Sequence, residues 1–311
     1  VIPAPCLEDG HGGGQALWLT CADGVRIRVV LWANVGARGT VLILPGRTEH
    51  AEKYGPTAAR LAAAGYAAAA IDWRGQGLAD RLLPDPRKGH VGRFADYQLD
   101  LSAFRRAVKA AGLPAPLFLL AHSMGGCIGL RGLVQGLEVA AAAFSAPMWG
   151  LKVPGGQARL LTAAFTGLSR AGLRGRYAPP PASGATCYLE TGAFADNTLT
   201  TDRGEWDWMQ GQLRANPELV IAGPTIGWLA EALAEIAALS RLPSPAVPCI
   251  AAVGGHERIV DPAAIVARMS RWPGGDLMEI PGAEHEILME TEHLRARFLS
   301  GVVAMFDAQQ V

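Results

Sequence analysis

The chain has no excess of either charge, no closely spaced cysteines and no apolar run long enough to cross a membrane. Lys plus Arg and Asp plus Glu both number 28 in 311 residues, so the formal net charge is zero. With no basic surplus and no polybasic run, electrostatics gives no reason to expect a nucleic-acid partner. Cys6, Cys21, Cys127, Cys187 and Cys249 are odd in number and lack any Cys-x-x-Cys pair. That spacing speaks against a disulfide framework and against a zinc site. The cysteines read instead as small buried hydrophobes in a reducing compartment. Gly, Pro or charge interrupts every apolar stretch before it reaches spanning length. The N-terminal residues lack the basic region and apolar core of a secretory signal. A cytoplasmic location follows as the expectation.

What is present suits a compact enzyme-sized chain. Half of the residues are hydrophobic and 18% are charged, enough for a sizeable core in one large domain or one domain with an insertion. Residues 16–21 and 25–33 flank Ala22-Asp23-Gly24, a hairpin signal. Residues 40–44 form a short apolar run of the kind buried on both faces of a sheet. A helical window at 53–64 closes at Gly65, strands are expected at 66–71 and 116–121, and helices at 96–111 and 124–135. A further strand is expected at 139–145. Strand alternating with helix through short connectors predicts a mostly parallel sheet with helices on both faces.

That rhythm stops after Pro147. Between 148 and 243 the pattern offers helices at 160–170, 206–214 and 225–239, a rigid Pro179-Pro180-Pro181 loop and four tryptophans, but no buried strand. Strands resume at 247–253 and 276–280, before a closing helix at 291–306. The expected organisation is therefore a core of residues 1–147 and 244–311, with a helical lid of residues 148–243 inserted between two strands.

In such sheets ligands bind at the carboxyl ends of the strands. Ala121-His122-Ser123-Met124-Gly125-Gly126 lies there, at a sharp strand-to-helix turn whose apex is a serine. The turn holds that serine in a strained conformation with its hydroxyl clear of the sheet, and it needs small residues on either side, here Ala121 and Gly125. Ser123 is thus the candidate nucleophile. Its base should follow the last strand, where His285 sits in Gly282-Ala283-Glu284-His285-Glu286. The orienting carboxylate should come from residues 254–262, which offer Glu257 and Asp261. Asp261 precedes Pro262 and a helical stretch, so an N-cap role accounts for it. Nothing local accounts for Glu257, which is preferred.

Acyl transfer from a serine also needs preorganised donors for the developing oxyanion. The backbone amides of Met124 and Arg47 are the candidates, with Gly46 allowing the main chain to turn. The Arg47 side chain could reach a phosphate or carboxylate, or lie ion-paired at the surface. Gly46, His122 and Trp149 are expected beside the substrate, His122 as a wall or packing residue. No metal or other cofactor is implied.

These segments fit together with Pro45-Gly46-Arg47-Thr48-Glu49-His50, Lys53-Tyr54, Asp72-Trp73-Arg74-Gly75-Gln76-Gly77, Ser145-Ala146-Pro147-Met148 and Glu257-Arg258-Ile259-Val260-Asp261. Together they resemble the monoacylglycerol lipase and bacterial lysophospholipase branch of the α/β-hydrolase superfamily. The resemblance runs from about residue 40 to the last helix and is weakest in the lid. It departs from the usual pattern at Ala121, where glycine is common, and at Ala79, where serine is common. It implies the α/β-hydrolase fold, a lipid ester as substrate and Glu257 as the acid. The lid, rich in Trp, Leu and Ala, is expected to hold the acyl chain and to touch membrane or micelle surfaces with its outer face, at the periphery of the inner membrane. The rival readings are a short-chain carboxylesterase and a non-catalytic binding protein on the same fold.

Overall fold

The computed structural model describes residues 2–7, 13–152, 157–179 and 184–310. Among these residues nine strands form one sheet: β1 Ile2–Pro3, β2 Gln15–Thr20, β3 Arg26–Trp32, β4 Thr40–Leu44, β5 Ala67–Asp72, β6 Leu117–His122, β7 Ala142–Ser145, β8 Cys249–Gly254 and β9 Gly275–Ile280. Their spatial order is β1-β2-β3-β5-β4-β6-β7-β8-β9. The hairpin end pairs antiparallel up to the β3–β5 contact, and the six strands from β5 to β9 run parallel.

The helices are α1 Gly55–Ala63, α2 Tyr97–Ala110, α3 Met124–Val134, α4 Ala158–Leu168, α5 Tyr188–Thr191, α6 Arg203–Ala215, α7 Ile226–Leu239, α8 Pro262–Met269 and α9 Glu292–Asp307. The period-2 geometry of a strand divides the core in two. In β4, Leu42 and Leu44 face a layer that includes Phe104 of α2, Ile128 of α3 and Ile265 of α8. Val41 and Ile43 face the opposite layer, with Leu61 of α1 and Phe298 and Phe306 of α9. All five β4 residues are buried, which is why this run carries no alternation of polarity.

Helices α4 to α7 lie between β7 and β8, where the sequence places its insertion. Pro180 and Pro181 of the expected rigid loop lie outside the described residues. Two expectations need adjusting. The window at 53–64 divides into a 3₁₀ turn, Ala51–Tyr54, and α1, because Pro56 is accommodated in the first turn of a new helix. Cys6 is exposed, whereas the other four cysteines are buried; it sits in the N-terminal stretch, outside both core layers.

Candidate active site

The end of β6 builds the central feature. Ser123 has φ 48° and ψ −116°, a region that costs a non-glycine residue about 1–3 kcal/mol. Its carbonyl accepts hydrogen bonds from Gly126, Cys127 and Met148, and its amide donates to Ser145. The turn is therefore held from both sides. Gly125 lets α3 start directly behind the serine: a Cβ there would stand 2.1 Å from the Leu44 carbonyl oxygen. Ala121 fits its own site, buried between β4 and β7.

Ser123 is partly exposed, and its Oγ lies 2.9 Å from Nε2 of His285. Nδ1 of His285 lies 2.7 Å from Oε2 of Glu257, and both of these residues are almost fully buried. The other Glu257 oxygen accepts from the amides of Ile259 and Val260. Burial works against its ionisation, but the bonds from His285 and these amides outweigh that and hold its pKa below the ordinary carboxylate value. A charged Glu257 then fixes the tautomer with Nδ1–H toward itself, leaving Nε2 bare toward the serine hydroxyl. Asp261 does something else: it caps α8, accepting from the Ala263 amide.

The loop after β4 is wired by the loop after β5. Trp73 Nε1 donates to the Pro45 carbonyl, and the Gln76 side-chain amide donates to the carbonyls of Gly46 and Glu49. The Gly46 amide donates to Glu49 Oε2, and the Thr48 amide to Gln76 Oε1. Among the described residues the Arg47 amide between them has no acceptor. Neither has the amide of Met124, which as the first residue of α3 lacks an intrahelical carbonyl. Two free amides therefore flank the serine turn.

Behind the histidine lies a charge cluster that sequence reasoning did not single out. Lys53 Nζ donates to Glu49 and to Glu286, and the Tyr54 hydroxyl donates to Glu49. Burial opposes the charge on Glu49, yet Lys53 and these hydrogen bonds pull its pKa down to about 2. Glu49, His122 and Glu286 could offer ligand atoms to a metal ion, but the Lys53 ammonium already supplies positive charge to both carboxylates. The signal was present in the Glu49, Lys53 and Glu286 motif positions; what was hidden is that they converge.

His122 packs its ring against that of His285, with centroids 4.8 Å apart. Its Nδ1 contacts the Ser145 carbonyl at 3.0 Å. Burial lowers its pKa to about 3, so it is neutral at pH 7 and its Nε2, 3.7 Å from Glu49, forms no ion pair. Trp149 is buried against Phe144 and Trp272, its indole N–H donating to the Gly126 carbonyl. Gly46 is buried, with both its amide and its carbonyl engaged. The Arg47 side chain is neither exposed nor ion-paired among the described residues: it packs under the insertion, against Trp228 and the Ala222 carbonyl.

A mostly parallel sheet flanked by helices, with a strained serine after one strand and a histidine–carboxylate pair after the last two, defines an α/β-hydrolase. The family described as serine aminopeptidase, S33, matches residues 36–292, and the chain belongs to it. Lysophospholipase L2 of Escherichia coli strain K12 is 33% identical over 299 residues, covering 93% of this chain and 86% of that one. Among solved structures, a soluble variant of the monoglyceride lipase of Saccharomyces cerevisiae superposes with a TM-score of 0.74 at 20% identity, covering 98% of this chain and all of the other. A carboxyl esterase from Bacillus coagulans gives 0.76 at 16% identity, covering 96% and 100%. At those identities the structures share the fold.

Proposed function

We propose that this protein is a carboxylic ester hydrolase that cleaves the acyl ester of lysophospholipids or monoacylglycerols through Ser123, His285 and Glu257. The continuous hydrogen-bonded line from Ser123 through His285 to Glu257 carries the reading. Ser123 Oγ attacks the ester carbonyl as His285 Nε2 takes its proton. The amides of Arg47 and Met124 stabilise the oxyanion, and Glu257 stabilises the imidazolium. Collapse expels the glycerol-side oxygen, which takes the proton from His285 and leaves an acyl-enzyme. A water molecule, giving its proton to His285, then attacks the acyl carbonyl. The second tetrahedral intermediate collapses, Ser123 recovers its proton and the fatty acid departs. The kinship with lysophospholipase L2 supports the substrate class.

The insertion reads as a lid, and one observation favours its contact with anionic lipid surfaces. Between Glu138 and Glu190 the sequence has five cations, Lys152, Arg159, Arg170, Arg174 and Arg176, and no acidic residue. Within that stretch α4 presents the exposed leucines Leu160 and Leu168. Basic and apolar groups on one helical segment suit a membrane interface. No helix among the described residues is long and apolar enough to cross a membrane, so such contact is peripheral.

The deciding experiment measures fatty-acid release from lysophosphatidylcholine and from a monoacylglycerol in parallel, with Ser123→Ala as the blank. Release that disappears in the variant supports the proposal. Activity confined to acetate and butyrate esters replaces it with a short-chain esterase, and no activity on any ester leaves a binding protein.

A further inference from the structure

Arg47 is half-buried and has fewer partners than the other enclosed arginines. Arg28 and Arg74 each bond two carboxylates. Arg81 donates to the carbonyls of Gly77, Ala79, Pro86 and Glu218. Arg268 donates to the carbonyls of Leu239 and Leu242 and to the Ser244 hydroxyl. Those arginines, buried or half-buried, have the partners that an enclosed guanidinium needs. Arg47 makes one side-chain hydrogen bond, to the Ala222 carbonyl at 3.0 Å, and stacks over Trp228 at 5.0 Å. Its Nε is buried without a partner, and no carboxylate lies within ion-pair distance among the described residues. The ionisable groups that influence it are Tyr97, Cys187 and Tyr177, all neutral at pH 7. Burial lowers its pKa to about 10, which leaves the charge in place at neutral pH.

Its position connects this charge to the reaction. The Arg47 amide is one of the two free amides flanking the serine, so the guanidinium is tethered to the point where the ester carbonyl would bind. The side chain can extend about 7 Å from that amide, given bond lengths near 1.5 Å. By the same reckoning, the ester carbonyl carbon and the phosphorus of an acylated glycerol phosphate are about 6–7 Å apart when the glycerol is extended. A phosphate on the guanidinium therefore leaves the carbonyl within reach of the amide of the same residue. Arg offers planar paired donors that match phosphate oxygens.

We propose that the Arg47 guanidinium is the phosphate-recognition group of this site, so that the preferred ester carries a glycerophosphate rather than an uncharged glycerol. The inference rests on the ester-hydrolase reading above. The competing role is a strap that only ties the insertion to the core.

The test compares kcat/KM for lysophosphatidylglycerol and for a monoacylglycerol of the same acyl chain, in wild type, Arg47→Gln and Arg47→Lys. Losing a charge-assisted bond should lower the phosphate-to-neutral preference by about 10- to 100-fold in Arg47→Gln, with part of it retained in Arg47→Lys. Parallel losses on both substrates, or an unchanged ratio, overturn the proposal in favour of the strap. A measurement on wild type alone covers the case of a poorly folded variant. sn-Glycerol 3-phosphate should competitively inhibit hydrolysis of p-nitrophenyl butyrate where glycerol does not, and equal effects of the two overturn the proposal. If wild type cleaves p-nitrophenyl butyrate but neither lipid, the lipid reading fails, while the inhibition result still decides whether Arg47 holds phosphate.

Discussion

Glu49 accepts a hydrogen bond from the Gly46 amide, three residues before it, while its other carboxylate oxygen accepts one from Lys53. This contact bends the loop after β4 so that the next amide, that of Arg47, is left without an acceptor among the described residues. A residue remote from the ester thus positions a group that would touch it. Burial makes the arrangement rigid, because a carboxylate so enclosed is held charged only while Lys53 and Tyr54 stay in place.

Glu49→Gln should therefore act on the transition state more than on substrate binding. Misplacing a donor by a fraction of an ångström is expected to lower kcat by about 10- to 100-fold with little change in KM. The same change leaves Lys53 with one carboxylate, Glu286, and should cost about 3 kcal/mol of stability. Steady-state kinetics together with chemical denaturation would separate the two effects. A KM effect without a kcat effect would show that Glu49 does not position the proposed oxyanion donor.

The strain at Ser123 gives a prediction in which stability and activity part company. Ser123→Ala and Ser123→Gly should both lack esterase activity. The left-handed backbone is unfavourable for alanine but open to glycine, so Ser123→Gly should be more stable than Ser123→Ala by about 1 kcal/mol. Thermal melts of the two variants, compared with each other, read that difference directly. Equal melting temperatures would mean that the turn stores no strain.

Glu257 and Asp261 lie four residues apart and should behave as different kinds of residue. Glu257→Gln removes the charge that holds the His285 tautomer and should reduce kcat by about 10³- to 10⁴-fold. Asp261→Asn should be close to neutral, since asparagine caps a helix about as well as aspartate, whereas Asp261→Ala should cost about 1 kcal/mol. The Glu257 pKa is lower in the folded protein than its ordinary value. Its contribution to stability is therefore complete above about pH 4.3, the unfolded pKa, and disappears as pH falls through the lower native value. Wild type should lose stability in that acid window more steeply than Glu257→Gln.

Much of this arrangement can be read from the chain because local patterns place it. The β4 run, the Ser123 turn and the loop holding His285 each sit where a strand ends, and parallel strands bring their ends to one edge. The Lys53–Glu286 contact joins residues 233 positions apart, so no local spacing reveals it. The setting of Arg47 depends on Ala222 and Trp228 of the insertion, the segment whose sequence carries the weakest resemblance. Cys6 misled for a related reason. Composition suggests burial for a free cysteine, but only packing decides whether a terminal segment joins the core.

Gly125 offers the sharpest test of the turn itself. A methyl group at that position would meet the Leu44 carbonyl oxygen at 2.1 Å and the Pro45 carbonyl oxygen at 2.6 Å, both parts of rigid backbone at the end of β4. Neither atom can yield as a side chain does, so Gly125→Ala must push α3 away from β4 or move the loop after β4. The expected result is a destabilisation of about 1–3 kcal/mol, in the range of overpacked cores, with kcat reduced by about 100-fold because Met124 and Arg47 lie on opposite sides of the displaced contact. Gly167→Ala supplies the control: this glycine lies on exposed α4 with nothing within 4 Å of the added carbon, and the change should stabilise by up to about 1 kcal/mol. Should Gly125→Ala melt and turn over as wild type does, the close approach of α3 to β4 would not be what aims the Ser123 hydroxyl.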